Sequence, residues 1–147
     1  MEPRWLTVPM VKAMQSQAIA AAGGANGIRD EALLESALDR PRNLFAHADD
    51  ATLPQLAAAY GHGIIRNRPF IDGNKRAGIL AVAVFLDLNG YRFQPDEAEA
   101  ATIVIALAAD EIDEDIFARW IADFTIRRTL RLIAFPHRRP KGCPPPN

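Results

Sequence analysis

The sequence predicts an all-α fold, a compact six-helix bundle. Two observations carry this. Apolar residues recur at helical spacing along most of the chain, and helix starts and stops (Asp, Thr, Pro, Gly) punctuate it at matching intervals. No window beyond the short "GYRFQ" alternates as a strand would. With 147 residues there is room for one domain with its own core and too little for two.

The first helix runs from Thr7 to about Ala22, with Val8, Val11, Met14, Ala18 and Ile19 on one stripe and Gly23-Gly24 as its stop. Asp30 caps a second, short helix, "DEALLESAL", whose first-turn Glu31 suits the helix dipole; Pro41 is expected to end it. After the loop "NLFAHADD" comes an Ala-rich third helix near Thr52–Asn67. The fourth spans about Asn74 to Asn89 and is almost wholly apolar from Ala77 to Leu86, which places it at the centre of the bundle. Asn89-Gly90 ends it. "QPDEAEAATIVIALAAD" opens with Pro-Asp-Glu as a fifth helix, and "DEDIFARWIADFTIRR" reads as a sixth, acids first and Arg last. The folded domain is thus expected over residues 1–134. Residues 135–147, "FPHRRPKGCPPPN", form a Pro-rich basic tail too poor in apolar residues to bury a core, and are expected to be disordered.

Composition excludes several classes. A net charge of −1 gives no global attraction to nucleic acid or to a membrane surface, so any anion site is a local patch. Ala77–Leu88 is interrupted by Asp87 and falls short of the roughly 20 residues a spanning helix needs. The N-terminus lacks the layout of a secretion signal. The single Cys143 excludes a disulfide framework, and His47, His62 and His137 lie too far apart to suggest a zinc site. Together these point to the cytoplasm. Trp5 and Trp120 read as core residues, and Asp87 as a solvent-facing helix end.

The chemistry concentrates in "RNRPFIDGNKRAGIL", residues 66 to 80. Arg66, Arg68, Lys75 and Arg76 supply four cations, Asp72 one carboxylate, and Asn67 and Asn74 two amides, in a polar break before an apolar helix. The first N–H groups of that helix have no partners inside it and sit at the positive end of its dipole. Gly73 lets a ligand approach the backbone, and Asn74, Lys75 and Arg76 add donors and charge: a phosphate cradle. Asp72 beside a phosphate makes sense if it holds a divalent cation, Mg2+, that bridges to the nucleotide. A cradle plus a cation-holding carboxylate is the minimum for a nucleotide-dependent transfer. Arg66 and Asn67 either reach the nucleotide or finish the third helix, and Phe70 anchors the loop in the core. The competing reading is a solvated loop between two helices.

The cluster resembles the signature of the Fic/Doc superfamily, which in its Doc-like (death-on-curing) branch reads His-x-Phe-x-Asp-(Ala or Gly)-Asn-Lys-Arg. "RPFIDGNKR" places Phe70, Asp72, Gly73, Asn74, Lys75 and Arg76 in register. "LDLNGY" and the upstream "NGIRDEALLESALDRPRNLF" are also similar to that branch, and the resemblance covers roughly Trp5 to Phe124. It implies the family's helical bundle, with the signature loop between helices 3 and 4, and transfer from ATP to a protein hydroxyl. Fic-type members carry Gly where Lys75 stands and move AMP; Doc-like members carry Lys and move the terminal phosphate. The resemblance therefore implies a kinase-type toxin acting on translation, with elongation factor Tu as the family's target. It also implies a cognate antitoxin whose C-terminal segment binds the toxin. No Ser/Thr-x-x-x-Glu helix of the self-inhibiting members is found, so inhibition is expected from a partner chain.

Arg68 departs from the signature: it stands where the family has its catalytic His, the general base. Arg cannot release its proton at neutral pH, and losing a general base typically costs on the order of 10²–10⁴ in rate. A planar guanidinium still binds phosphate. His62 offers no substitute, since six residues of helix separate the two and turn it about 120° away. Either Arg68 is an inactivating change in a lethal protein, the favoured explanation, or the chain is a catalytically silent binding module for antitoxin or nucleotide. AMP transfer is disfavoured by Lys75, and direct nucleic-acid binding by the charge.

Overall fold

The computed structural model describes residues 2–128, so the Pro-rich tail lies outside the described residues. Among the described residues six helices form: α1 (Val8–Ala22), α2 (Glu31–His47), α3 (Leu53–Asn67), α4 (Asn74–Leu88), α5 (Glu97–Ala108) and α6 (Glu114–Asp123). The expected all-α bundle is what the chain adopts. Its helix starts are chemical: Thr7, Asp30, Thr52, Asp96 and Asp113 each accept a backbone N–H from the first turn. Thr52 and Gln55 close a reciprocal capping box.

α3 is the hub, packed against α2, α4, α5 and α6. Small residues allow this. A Cβ on Gly61 would meet Phe117 and Val82 at 2.9 Å, and one on Gly78 would lie 2.5 Å from Ile65 Cγ1 and 3.2 Å from the Gly61 carbonyl oxygen. The two backbones therefore approach as only glycine permits. Tyr60, Phe85 and Phe117 fill the centre, and the Leu6 N–H donates to the buried Tyr60 hydroxyl at 3.0 Å. Burial pushes the Tyr60 phenol pKa up. Trp120 is buried as expected, and Trp5 stacks on Phe85 at 6.0 Å.

Two expectations are corrected. Pro41 does not end α2; it sits buried inside the helix, which continues to His47. Pro cannot donate to the carbonyl four residues back, a loss of about 3 kcal/mol in an open helix. The turn beyond it offsets this: Phe45 packs edge-on to Trp5 at 5.7 Å, Leu44 joins the core, and Arg42 lies over the Trp5 ring.

The sixth helix does not run to its Arg residues. It stops at Asp123, and β2 (Thr125–Arg127) pairs antiparallel with β1 (Tyr91–Phe93). A β-branched Thr125-Ile126 favours the extended form, and the Phe93 ring meets Trp120 edge-on at 5.5 Å. Arg128, beyond the strand, reaches Asp87: its Nη2 donates to the carbonyl at 2.8 Å and Nη1 lies 3.2 Å from the carboxylate. A cation thus sits at the negative end of α4.

Candidate active site

The site forms where α3 stops and α4 begins. Arg68 ends α3 in the left-handed region (φ 51, ψ 58), with its N–H donating to the Ile64 carbonyl at 3.1 Å. Pro69 has no N–H with which to continue. The freed carbonyls find a side chain instead: Arg29 donates to Arg68 O through Nε at 2.7 Å and to Asn67 O through Nη2 at 2.8 Å. Asn67 therefore serves as a helix end, and its side chain is not among those lining the cavity below.

The segment 24–30 straps this loop from outside. Ile71 N–H donates to Gly27 O at 3.0 Å, and the Arg29 and Asp30 N–H groups both donate to Pro69 O, at 2.7 and 3.0 Å. Phe70 is 1% exposed and anchors the loop in the core. The Asn74 side chain is spent on it: Oδ1 accepts Phe70 N–H at 2.9 Å and Nδ2 donates to Phe70 O at 3.0 Å. What Asn74 offers an anion is its backbone N–H, not its amide. Gly73 caps α4 with φ 79, a conformation that favours glycine, and supplies no side-chain acceptor. The first N–H groups of α4 are left without a side-chain acceptor.

These N–H groups face a cavity of about 600 Å³. Arg66, Arg68, Lys75 and Arg76 line it, four cations against the single carboxylate of Asp72, with Gly73 and Asn74 at the helix end. Ile65, Ile71, Ile105, Ala108 and Ala109 add an apolar part to the lining. Arg66 is tied to that part, its Nη1 donating to Ala108 O at 3.1 Å and Nη2 standing 3.8 Å from Asp110. Lys75 and Arg76 are exposed and meet no carboxylate among the described residues. Asp72 turns Oδ2 to the Ala25 N–H at 2.8 Å. His62 takes no part. It is half-buried beside Arg40 and Glu114, and burial, then the Arg40 and Arg66 charges, push its pKa down. Its Nδ1 therefore accepts from Arg40 at 3.2 Å, and its 3.4 Å approach to Glu114 is not an ion pair.

Of the residues singled out in the sequence, Arg66, Arg68, Asp72, Gly73, Asn74, Lys75 and Arg76 converge on one cavity, and Asn67 and Phe70 hold its frame. Two residues escaped notice: Arg29, and Gln15, whose Nε2 donates to Asp72 O at 3.1 Å. The signature-loop carbonyls they reach lie 38 to 57 residues away in sequence, beyond any local pattern.

The N-terminus of α4 and four cations meet at one cavity, an arrangement whose chemistry suits an anion. The lineage of the chain is specific. A sequence model of the Fic/DOC family matches residues 5–86, more than half of the 147-residue chain, and the chain belongs to that family. Members are generally transferases that act on protein hydroxyls and use ATP with Mg2+. No curated protein matches the chain. Among the described residues, no helix is long and apolar enough to cross a membrane.

Proposed function

We propose that the chain is a Doc-like toxin of a toxin–antitoxin system, a kinase-type transferase whose site takes ATP and Mg2+, and that Arg68 leaves it inactive or much weakened. The observation that carries this reading is the uncapped N-terminus of α4 opening, with Lys75 and Arg76, into a cavity where Asp72 is the lone carboxylate. The residues fit the group. Backbone N–H groups and cations suit a polyphosphate; the apolar lining suits a base; Asp72 Oδ1, which accepts no hydrogen bond among the described residues, suits a cation shared with phosphate oxygens. Bound there, Mg-ATP would supply the transferable phosphoryl group. The protein's part is to hold it, neutralise its charge and place the target hydroxyl.

Lys75 supports transfer of the terminal phosphate over AMP transfer, by resemblance to the Doc-like branch. The same resemblance supports a translation factor, elongation factor Tu, as the target, and a cognate antitoxin as the inhibitor. Arg68 lines the cavity where the hydroxyl's proton must go, and a guanidinium does not accept it. That observation also favours a second reading, a binding module that holds nucleotide or antitoxin without chemistry.

The test is the intact mass of elongation factor Tu after incubation with Mg-ATP and either this protein or Arg68→His. His is enriched in left-handed backbone, so the variant fits the φ of 51 at this position. Addition of one phosphate by the His form alone supports the kinase reading. Addition of AMP moves the reading to an AMP transferase. No modification by either form sinks the assignment to this target and leaves the binding module.

A further inference from the structure

Gln15 lies on α1, outside the signature, and is 2% exposed. Desolvating an amide is costly, and a Met of the same length would fill the space without that cost, so packing alone does not account for it. Its hydrogen bonds do. Nε2 donates to the Asp72 carbonyl at 3.1 Å and to the Ala25 carbonyl at 3.4 Å, while the Ala25 N–H donates to Asp72 Oδ2 at 2.8 Å. These bonds close a circuit: one buried side chain fixes two backbone segments, and one of those segments fixes one oxygen of an exposed carboxylate. The strap presses close at the same point. A Cβ on Gly24 would stand 3.1 Å from Asp72 Cβ and 3.3 Å from its Oδ2.

An exposed Asp left to itself loses rotamer freedom when it binds a cation. Here that freedom is removed in advance: Oδ2 is held by the Ala25 N–H, Oδ1 accepts no hydrogen bond among the described residues, and the residue lines the cavity. We propose that Gln15 is a positioning residue for the divalent cation that Asp72 would hold with the nucleotide; this rests on the ATP-and-Mg2+ reading above. Gln15 touches neither cation nor nucleotide. It acts through Ala25 and the Asp72 backbone.

The test is the affinity of a fluorescent, non-hydrolysable ATP analogue, measured with Mg2+ and with chelator, for the full chain and its Gln15→Met, Gly24→Ala and Asp72→Asn variants. The ratio of the two affinities isolates the metal-dependent part, and Asp72→Asn sets its floor. Gln15→Met is expected to lower that ratio about 10-fold toward the floor, the usual scale for a group that orients a metal ligand, with the metal-free affinity unchanged. A role in packing alone would lower melting temperature and weaken both affinities in proportion, which overturns the proposal. Should Gln15→Met fail to fold, Gly24→Ala decides, because at φ 114 it strains the strap and brings a Cβ within 3.3 Å of the same Asp72 Oδ2; an unchanged ratio there overturns the proposal too. If the unaltered protein binds no analogue in either condition, the ATP reading itself fails and takes the role of Gln15 with it. If it binds and only the variants' ratio is unmoved, the ATP reading stands and Gln15 alone is refuted.

Discussion

The side-chain amide of Asn74 satisfies both backbone polar groups of Phe70, accepting its N–H at 2.9 Å and donating to its carbonyl at 3.0 Å. With Asn74 7% exposed and Phe70 1%, these two bonds are closed off from water. They fold the loop into the curve that brings Arg68 and Lys75 around the same cavity. The position reads in sequence as a ligand donor. In the fold its amide shapes the loop, and the first N–H groups of the helix beside it carry no side-chain cap.

Asn74→Ala is therefore expected to cost stability before it costs binding. It orphans one buried N–H and one buried carbonyl, roughly 2 to 4 kcal/mol in all at typical penalties. Urea unfolding measures it. A loss under 0.5 kcal/mol would mean water replaces the amide and the loop does not depend on it.

Arg29 is the second brace, and an exposed one. Arg29→Met removes two charge-assisted bonds to the end of α3, at 2.7 and 2.8 Å. Solvent screening keeps the expected loss near 1 kcal/mol. The more telling readout is anion affinity, because Arg68 O loses its anchor while every cation of the cavity stays in place. Unchanged ATP-analogue affinity would show that the α3 terminus holds its shape unaided.

How much of this was legible beforehand follows from the range of each interaction. Helix starts at Asp30, Thr52 and Asp96 are local, one side chain reaching three residues ahead, and they read correctly from sequence. The cavity's cations are contiguous across one loop, so their convergence was also readable. Pro41 misled because its local rule was overruled by the packing of Leu44 and Phe45. β2 misled because a three-residue strand has no period of its own, and its partner lies in Tyr91–Phe93. Gln15 and Arg29 were invisible for the same reason: a lone polar residue on a helix or in a loop says nothing of a carbonyl dozens of residues away.

Lys75 and Arg76 are exposed and meet the cavity as charges, not as buried pairs. Lys75→Ala is expected to weaken a polyphosphate analogue about 10-fold at low salt, the equivalent of about 1.4 kcal/mol, and by less as ionic strength rises. Titration with the analogue at two salt concentrations checks both. An effect independent of salt would place the Lys75 ammonium in a direct, desolvated contact.

His62 and Glu114 make stability depend on pH in opposite senses. Burial, then Arg40 and Arg66, hold the His62 pKa below the ordinary 6.5, with Asp110 opposing. Between its folded value and 6.5 the unfolded chain binds more protons, so this stabilisation is complete above pH 6.5 and is lost as pH falls through the folded value. Glu114 runs the other way. Burial raises its pKa above the ordinary 4.5, Arg40 opposes and Asp115 adds, so its contribution falls as pH rises from 4.5 through the folded value. Melting temperature should therefore decline as pH drops just below 6.5, and His62→Gln should remove that decline. A decline of equal size in the variant would assign it to other groups.

Among the glycines of the described residues, Gly78 leaves the least room for a side chain. Gly78 faces Ile65, with a hypothetical Cβ only 2.5 Å from Cγ1 and 3.2 Å from the Gly61 carbonyl oxygen. In an exposed helix, Gly→Ala stabilises by about 1 kcal/mol through propensity. Here that gain meets a contact that no real Cβ makes, so Ile65 must leave its rotamer or α3 and α4 must part. Overpacking of this kind costs about 1–3 kcal/mol, and the net change for Gly78→Ala is expected to be a loss. Because Ile65 also lines the cavity, parting the helices should weaken ATP-analogue binding along with stability. Pairing Gly78→Ala with Ile65→Val removes a methyl from the crowded side chain and should recover part of both losses. A double variant no better than Gly78→Ala alone would place the obstruction at Cγ1, which Val keeps, or at the Gly61 carbonyl oxygen, and not at Ile65 Cδ1.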